Sequence, residues 1–93
     1  MSVEYENGKI KKINFTKERT KMAKEGLFRT GWIQFKFKGY TIDISRFAYK
    51  GKSSYKINAS KGRSYDNTTV ATLKQVLQII NNIDKYSLTN EGL

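Results

Sequence analysis

Between residues 32 and 63 the chain spaces side chains that can bind an anion, read a base edge or stack on a ring. Trp32, Gln34, Lys36 and Lys38 stand two apart, Lys56 and Asn58 repeat the spacing, and Thr41, Asp43 and Ser45 fall between them. Lysine and arginine neutralise phosphates and release counterions, glutamine and asparagine pair with base edges, and an exposed tryptophan stacks on a base. Arg46, Lys50, Lys52, Lys61 and Arg63 add cations around this set. The candidate nucleic-acid-binding residues are therefore Trp32, Gln34, Lys36, Lys38, Arg46, Lys50, Lys52, Lys56, Lys61 and Arg63. Each has a plainer role when taken singly. Lysines protect exposed sheets from aggregation, and a lone tryptophan commonly packs, here beneath the N-terminal segment.

The distribution of charge favours the binding role. The chain carries 18 basic and 8 acidic residues with no histidine, a net charge of +10. Residues 1–8 contribute −2, residues 9–28 +5, residues 29–65 +8 and residues 66–93 −1. The excess thus lies between Lys9 and Arg63, and Asp43 is the sole acid from 29 to 65. A surface that is merely soluble mixes its signs more evenly, and a basic patch is the electrostatic footprint of a polyanion partner.

Enzyme chemistry has little to work with. Cysteine and histidine are both absent, which removes thiolate nucleophiles, the usual general base, zinc sites of the common types and disulfides. Glu4 and Glu6 are in a segment expected to be mobile, and Asp43 reads as a cross-strand polar contact. Gly31, Gly39, Gly51 and Gly62 are spaced as turn residues and match no phosphate loop. No cofactor is expected. No signal peptide or membrane-length apolar run is present, so a cytoplasmic, non-membrane protein is expected.

Positioning these side chains requires a sheet. Ile33, Phe35 and Phe37 alternate with polar residues, as do Tyr40, Ile42 and Ile44, which is the period of a half-buried strand. A two-residue loop at Lys38-Gly39 pairs Phe37 with Tyr40, Phe35 with Ile42 and Ile33 with Ile44, so turn length and apolar pattern agree. Lys50-Gly51-Lys52-Ser53 reads as the next turn, leading to a strand with Tyr55, Ile57 and Ala59 inward. Phe47 and Tyr49 fall on the polar face unless a bulge near Ser45-Arg46 resets the phase. The strand at Ser54 to Ala59 is expected to leave an open edge.

Asp66 is a good helix N-cap, with Tyr65 and Val70 as a hydrophobic staple. Val70, Leu73, Val76, Leu77, Ile80 and Ile83 then recur at helical spacing. The fold expected is α+β: a three-stranded antiparallel meander over about 31–59, with an N-terminal strand at 9–15 as an option, packed on one amphipathic helix over about 67–85. The chain is one domain, with mobile tails at 1–8 and 87–93. Thr16 to Glu25 reads as a short helix or a basic arm ordered by its partner. Tyr55, Tyr65 and Tyr86 are expected at the edge of the core.

Three strands followed by a helix, over Gly31 to Lys85, resembles in topology the small sheet-reading DNA-binding domains of plant transcription factors and phage-type integrases. The resemblance implies that the sheet face away from the helix enters the major groove, and it places DNA ahead of RNA as partner. A Lys-, Asn- and Ile-rich chain without proline has the style of an A·T-rich bacterial or phage genome. That suggests a second function: a phage or mobile-element inhibitor that binds a host protein, such as a nuclease, through its basic surface. A ribosome- or RNA-associated factor is a third.

Overall fold

Hairpin turns set the architecture. Asn7-Gly8, Lys38-Gly39 and Lys50-Gly51 each place both central residues at positive φ (55° and 76°, 54° and 82°, 50° and 82°). This is the type I′ pattern whose twist matches that of paired strands, and glycine takes its second position without a Cβ penalty. Gly62 (φ 60°) opens the two-residue link between Lys61 and Ser64. The computed structural model describes residues 3–83.

Strands β1 (Val3–Glu6) and β2 (Lys9–Ile13) form an antiparallel hairpin of their own. Strands β3 (Thr16–Lys21), β4 (Leu27–Phe37), β5 (Tyr40–Tyr49), β6 (Lys52–Lys61) and β7 (Ser64–Val70) form a five-stranded antiparallel sheet in chain order, and helix α1 (Leu73–Asn81) follows. The inner face of the sheet presents Ile33 and Phe37 from β4, Ile42 and Ile44 from β5, and Ile57 and Ala59 from β6. Opposite them lie Val76, Ile80 and Ile83 from the helix and its end, and Val3, Ile10 and Ile13 from the hairpin. Ile42, Ile44 and Ile57 are fully buried, and each contributes about 1.5–3 kcal/mol by leaving water.

The second layer is therefore composite. The helix packs against β6 and β7, and the hairpin lies over β4, where the rings of Tyr5 and Phe37 stack with centroids 6.0 Å apart. Asn81 joins the two halves. Its Oδ1 accepts from the Ile10 N–H at 2.8 Å and its Nδ2 donates to the Ile10 carbonyl at 3.1 Å.

The hairpin of β4 and β5 has the expected register, including Ile33 with Ile44, Phe35 with Ile42 and Phe37 with Tyr40. The class is α+β with antiparallel sheets, but the principal sheet has five strands, not three. Thr16–Lys21 is strand β3, not a helix or an arm. Its sequence TKERTK has no apolar alternation because it is an edge strand exposed along most of its length. Ser64–Val70 is strand β7, so Asp66 sits opposite Ala59 in mid-strand, and the helix N-cap is Thr72 instead. Tyr65 is consequently 60% exposed instead of stapling a helix.

The helix starts later, behind a capping box at Thr72: the Gln75 N–H donates to the Thr72 hydroxyl, and the Thr72 N–H donates to the Gln75 side chain. Two backbone donors that a helix start would leave unpaired are thereby satisfied, which is why such boxes stabilise. Ser54 to Ala59 is no open edge, since β7 pairs with β6; the edges are β3 and β7. Residues 3–6 of the supposed tail form β1, with Val3 buried. The strand expected at 9–15 is β2, ending at Ile13 and belonging to the separate hairpin. Tyr86, Lys85 and the tail at 87–93 lie outside the described residues.

Candidate nucleic-acid interface

Strand alternation sends every second residue to the face away from the helix. Register places these residues in rows across the sheet. The middle row runs Thr16, Trp32, Ser45, Lys56, Thr69. Beside it run Gln34, Asp43, Asn58, Asn67, and then Lys36, Thr41, Ser60, Tyr65. The Tyr65 hydroxyl donates to Asn58 Oδ1 at 2.9 Å, which fixes that amide within the face.

On the other side of the middle row the phase is set by a bulge. Arg29 pairs with Phe47 while Gly31 pairs with Arg46, so Thr30 is the extra residue of β4. The bulge is thus in the partner strand opposite Arg46, and β5 keeps strict alternation against β6 from Thr41 to Tyr49. Leu27 and Arg29 are turned outward as a result. The rows there read Thr20, Arg29, Phe47, Ser54 and then Leu27, Tyr49, Lys52. Phe47 and Tyr49 accordingly share the polar face with Trp32, the first of the two alternatives open in the sequence.

Arg46 goes the other way. Its side chain lies on the inner face, where Nε donates to the Thr30 hydroxyl at 3.0 Å and Nη2 to the Thr30 carbonyl at 3.1 Å. Its guanidinium lies 5.3 Å from the centroid of Phe15, whose ring is 5.9 Å from that of Tyr55. Arg46 therefore fastens the bulge and caps the end of the core, and it belongs to no outward-facing site. Gly31 is buried beneath it: a Cβ there would come within 3.1 Å of Arg46 Nη2 and 3.2 Å of Phe15 Cβ.

Lys38 and Lys61 also depart from the expected cluster. Lys38 Nζ donates to the carbonyl of Asn81 at 3.1 Å, where a cation suits the C-terminal end of a helix. Lys61 lies over the ring of Tyr40, 5.2 Å from its centroid, on the inner side. Of the ten candidates, Trp32, Gln34, Lys36, Lys52 and Lys56 share the outer face. Lys50 leans over Tyr49 from the β5–β6 turn, and Arg63 is exposed in the β6–β7 turn. Beyond the ten candidates the face gains Lys24, whose Nζ is 4.5 Å from the Tyr49 centroid, Arg29, Tyr65, Asn67 and the rings of Phe47 and Tyr49. Lys24 is in the β3–β4 turn, and only the return of that turn beside Tyr49 brings it to the face.

Electrostatically the face is cationic without being uniformly so. Its charged side chains are Arg29, Lys36, Lys52 and Lys56 against Glu18 and Asp43, and Arg29 is ion-paired with Glu18. Lys24 and Lys50 add charge at the Tyr49 end. Much of the remaining excess is elsewhere: Lys17 and Lys21 pair in register with Gly31 and Phe28 and so turn to the inner side, as does Arg19, 4.0 Å from the Phe28 centroid. Trp32 is 38% exposed amid these groups, so it is not packed beneath the N-terminal segment. Among the described residues no group of three or more His, Cys, Asp or Glu could hold a metal, and no helix is long and apolar enough to cross a membrane. Comparison with known proteins finds no matching family, no matching curated protein and no matching solved structure.

Proposed function

We propose that the chain is a nucleic-acid-binding protein, not an enzyme, and that its ligand lies on the outer face of the five-stranded sheet. The observation that carries this is the exposed Trp32 on the middle row of the outer face, with amides, hydroxyls and lysines in the rows beside it and Phe47 and Tyr49 beyond. A solvated face has no need of an indole, and an indole flanked by cations suits a base flanked by phosphates. Gln34, Asn58 and Asn67 supply donors and acceptors in the adjoining row, where base edges can be read.

The test is a titration of labelled single-stranded DNA, duplex DNA and RNA over a range of salt. Lys24, Lys36, Lys50, Lys52 and Lys56 are the cations on or over the face. If each neutralises one phosphate, log K falls against log salt with a slope of about −3.5 for a single strand or about −4.5 for duplex. Replacing Lys52 and Lys56 together by alanine flattens that slope by about 1.5 to 2. Binding that disappears at physiological salt, or a slope indifferent to that double substitution, would overturn the proposal. An acidic protein partner for the basic surface would then take precedence.

A further inference from the structure

Three aromatic rings on the outer face form a line, and this line says more about the ligand than the charge does. Phe47 and Tyr49 are two residues apart on β5, which puts them about 6.7 Å apart along the strand. Trp32 is opposite Ser45, two residues before Phe47, and is therefore the diagonal cross-strand neighbour of Phe47 at about 7–8 Å. The sequence from Trp32 through Phe47 to Tyr49 crosses from β4 to β5 and ends at the paired turn tips. Resting on the reading of this face as a nucleic-acid site, we propose that the ligand is a single strand whose successive bases stack on Trp32, Phe47 and Tyr49.

The chemistry of the two ligand classes separates them. In a duplex each base already stacks on its neighbours, and only base edges and the backbone are offered to a protein. A row of rings lying on a sheet has no base face to meet there. An unpaired strand presents its π-faces, and aromatic stacking on them tolerates any sequence. RNA and DNA single strands share this chemistry.

The cations are placed as a stacked strand requires. Lys52 and Lys56 project from β6 alongside the line, opposite Tyr49 and Ser45. Four residues apart, they are about 13 Å from one another, a span comparable with that of the three rings. Lys24 and Lys50 lie over the half-buried Tyr49 ring, with Nζ 4.5 Å and 5.4 Å from its centroid, so a base stacks there as these two flexible side chains swing aside to the phosphates. Phosphates running along β6 and bases turned toward β4 and β5 satisfy both sets. On the far flank, Glu18 is already paired with Arg29 and so adds no unpaired anion beside the path. Asp43 stands beyond Trp32, opposite Gln34 and Asn58, where a carboxylate can accept from an exocyclic amine.

The platform is also held in place before any ligand arrives. β4 and β5 are inner strands of the sheet, paired on both sides. Fixing a ring on such a strand avoids part of the ordering cost that binding otherwise carries.

The experiment compares an oligothymidine of about 12 nucleotides, the same length of abasic strand, the matching oligoribonucleotide and a duplex, at one physiological salt concentration. Trp32 is the only tryptophan, so its emission reports stacking directly. The expected result is quenching by the single strands, affinity at least tenfold above that for the duplex and the abasic strand, and a loss of about 5- to 150-fold for Phe47→Leu. Phe47→Tyr and Trp32→Phe keep a ring and keep most of the affinity, which separates stacking from any loss of fold; a thermal melt accompanies each variant. RNA binding as tightly as DNA leaves the inference intact and names the shared strand chemistry. Duplex or abasic strand binding as tightly as oligothymidine, with unchanged Trp32 emission, overturns the stacked strand while leaving a phosphate-binding face. Absence of binding by every oligonucleotide removes both.

Discussion

Asn81 is the residue whose removal tests the packing most directly. Its side-chain amide pairs with both polar atoms of the Ile10 backbone, at 2.8 Å and 3.1 Å, and Ile10 is itself only 2% exposed. A protein hydrogen bond contributes about 0.5–1.5 kcal/mol net, and a buried group stripped of its partner costs about 1–3 kcal/mol. Asn81→Ala therefore loses about 2–3 kcal/mol across the two bonds. Alanine's better helix propensity offsets about 0.6 kcal/mol of that. The net is about 2 kcal/mol, or a fall in Tm of about 8–16 °C for a chain of this size. Asn81→Asp keeps the acceptor but sets a carboxylate oxygen against the Ile10 carbonyl, and it is expected to be no milder than alanine. The neighbouring Asn82 is the control: its amide donates to the carbonyl of Gln78 at 2.8 Å in an exposed, local bond, so Asn82→Ala falls within about 0.5 kcal/mol of the parent. Urea unfolding followed by Trp32 fluorescence and by far-ultraviolet circular dichroism measures all three. Should Asn81→Ala cost no more than Asn82→Ala, the amide does not hold the hairpin to the helix.

Arg46→Lys and Arg46→Met are both expected to destabilise by about 1.5–3 kcal/mol, because neither restores the forked contact with Thr30. Their affinity for an oligonucleotide should equal the parent's, and a loss there would return Arg46 to the interface. Thr72→Ala removes one half of the capping box and should cost about 1 kcal/mol, read from chemical denaturation. Gly51→Ala meets no neighbouring atom within 4 Å, yet its φ of 82° should still cost about 1 kcal/mol; a neutral result would show that the turn relaxes.

What the sequence made legible follows from which signals are local. The β4–β5 hairpin was readable because period-two alternation and a two-residue loop independently give one register. The polar face was readable through Trp32, Gln34, Lys36 and Lys56 for the same reason. Strand β7 was not, since Asp66 imitates a helix cap and the apolar spacing of the real helix extends back to Val70. The sequence Thr72-Leu73-Lys74-Gln75 carried the true start as a capping box. The turn residues Asn7-Gly8 likewise signalled the first hairpin, although the acidic residues around them suggested a tail. Edge strand β3 has no alternation to read, because the sheet asks only for its backbone along most of that edge. The bulge at Thr30 is a tertiary feature, held by an arginine from the next strand, and its one local sign in β4 is Gly31, which taken as a turn residue does not announce it. For that reason the outward placement of Phe47 and Tyr49 stayed open, and with it two of the three rings in the line.

The order of the principal sheet has a kinetic consequence. Every pairing in it joins consecutive strands, so each needs only the closure of a short turn, and low contact order speeds folding. The joining of Ile10 to Asn81 spans 71 positions and is the step that must bring the two ends of the domain together. If the meander forms the nucleus and that closure comes last, Asn81→Ala will leave the refolding rate nearly unchanged and quicken unfolding, a φ-value near zero. Stopped-flow chevrons with Trp32 as the probe would then place the hairpin on the late side of the barrier, so that resistance to unfolding is governed by a contact the nascent sheet does not use.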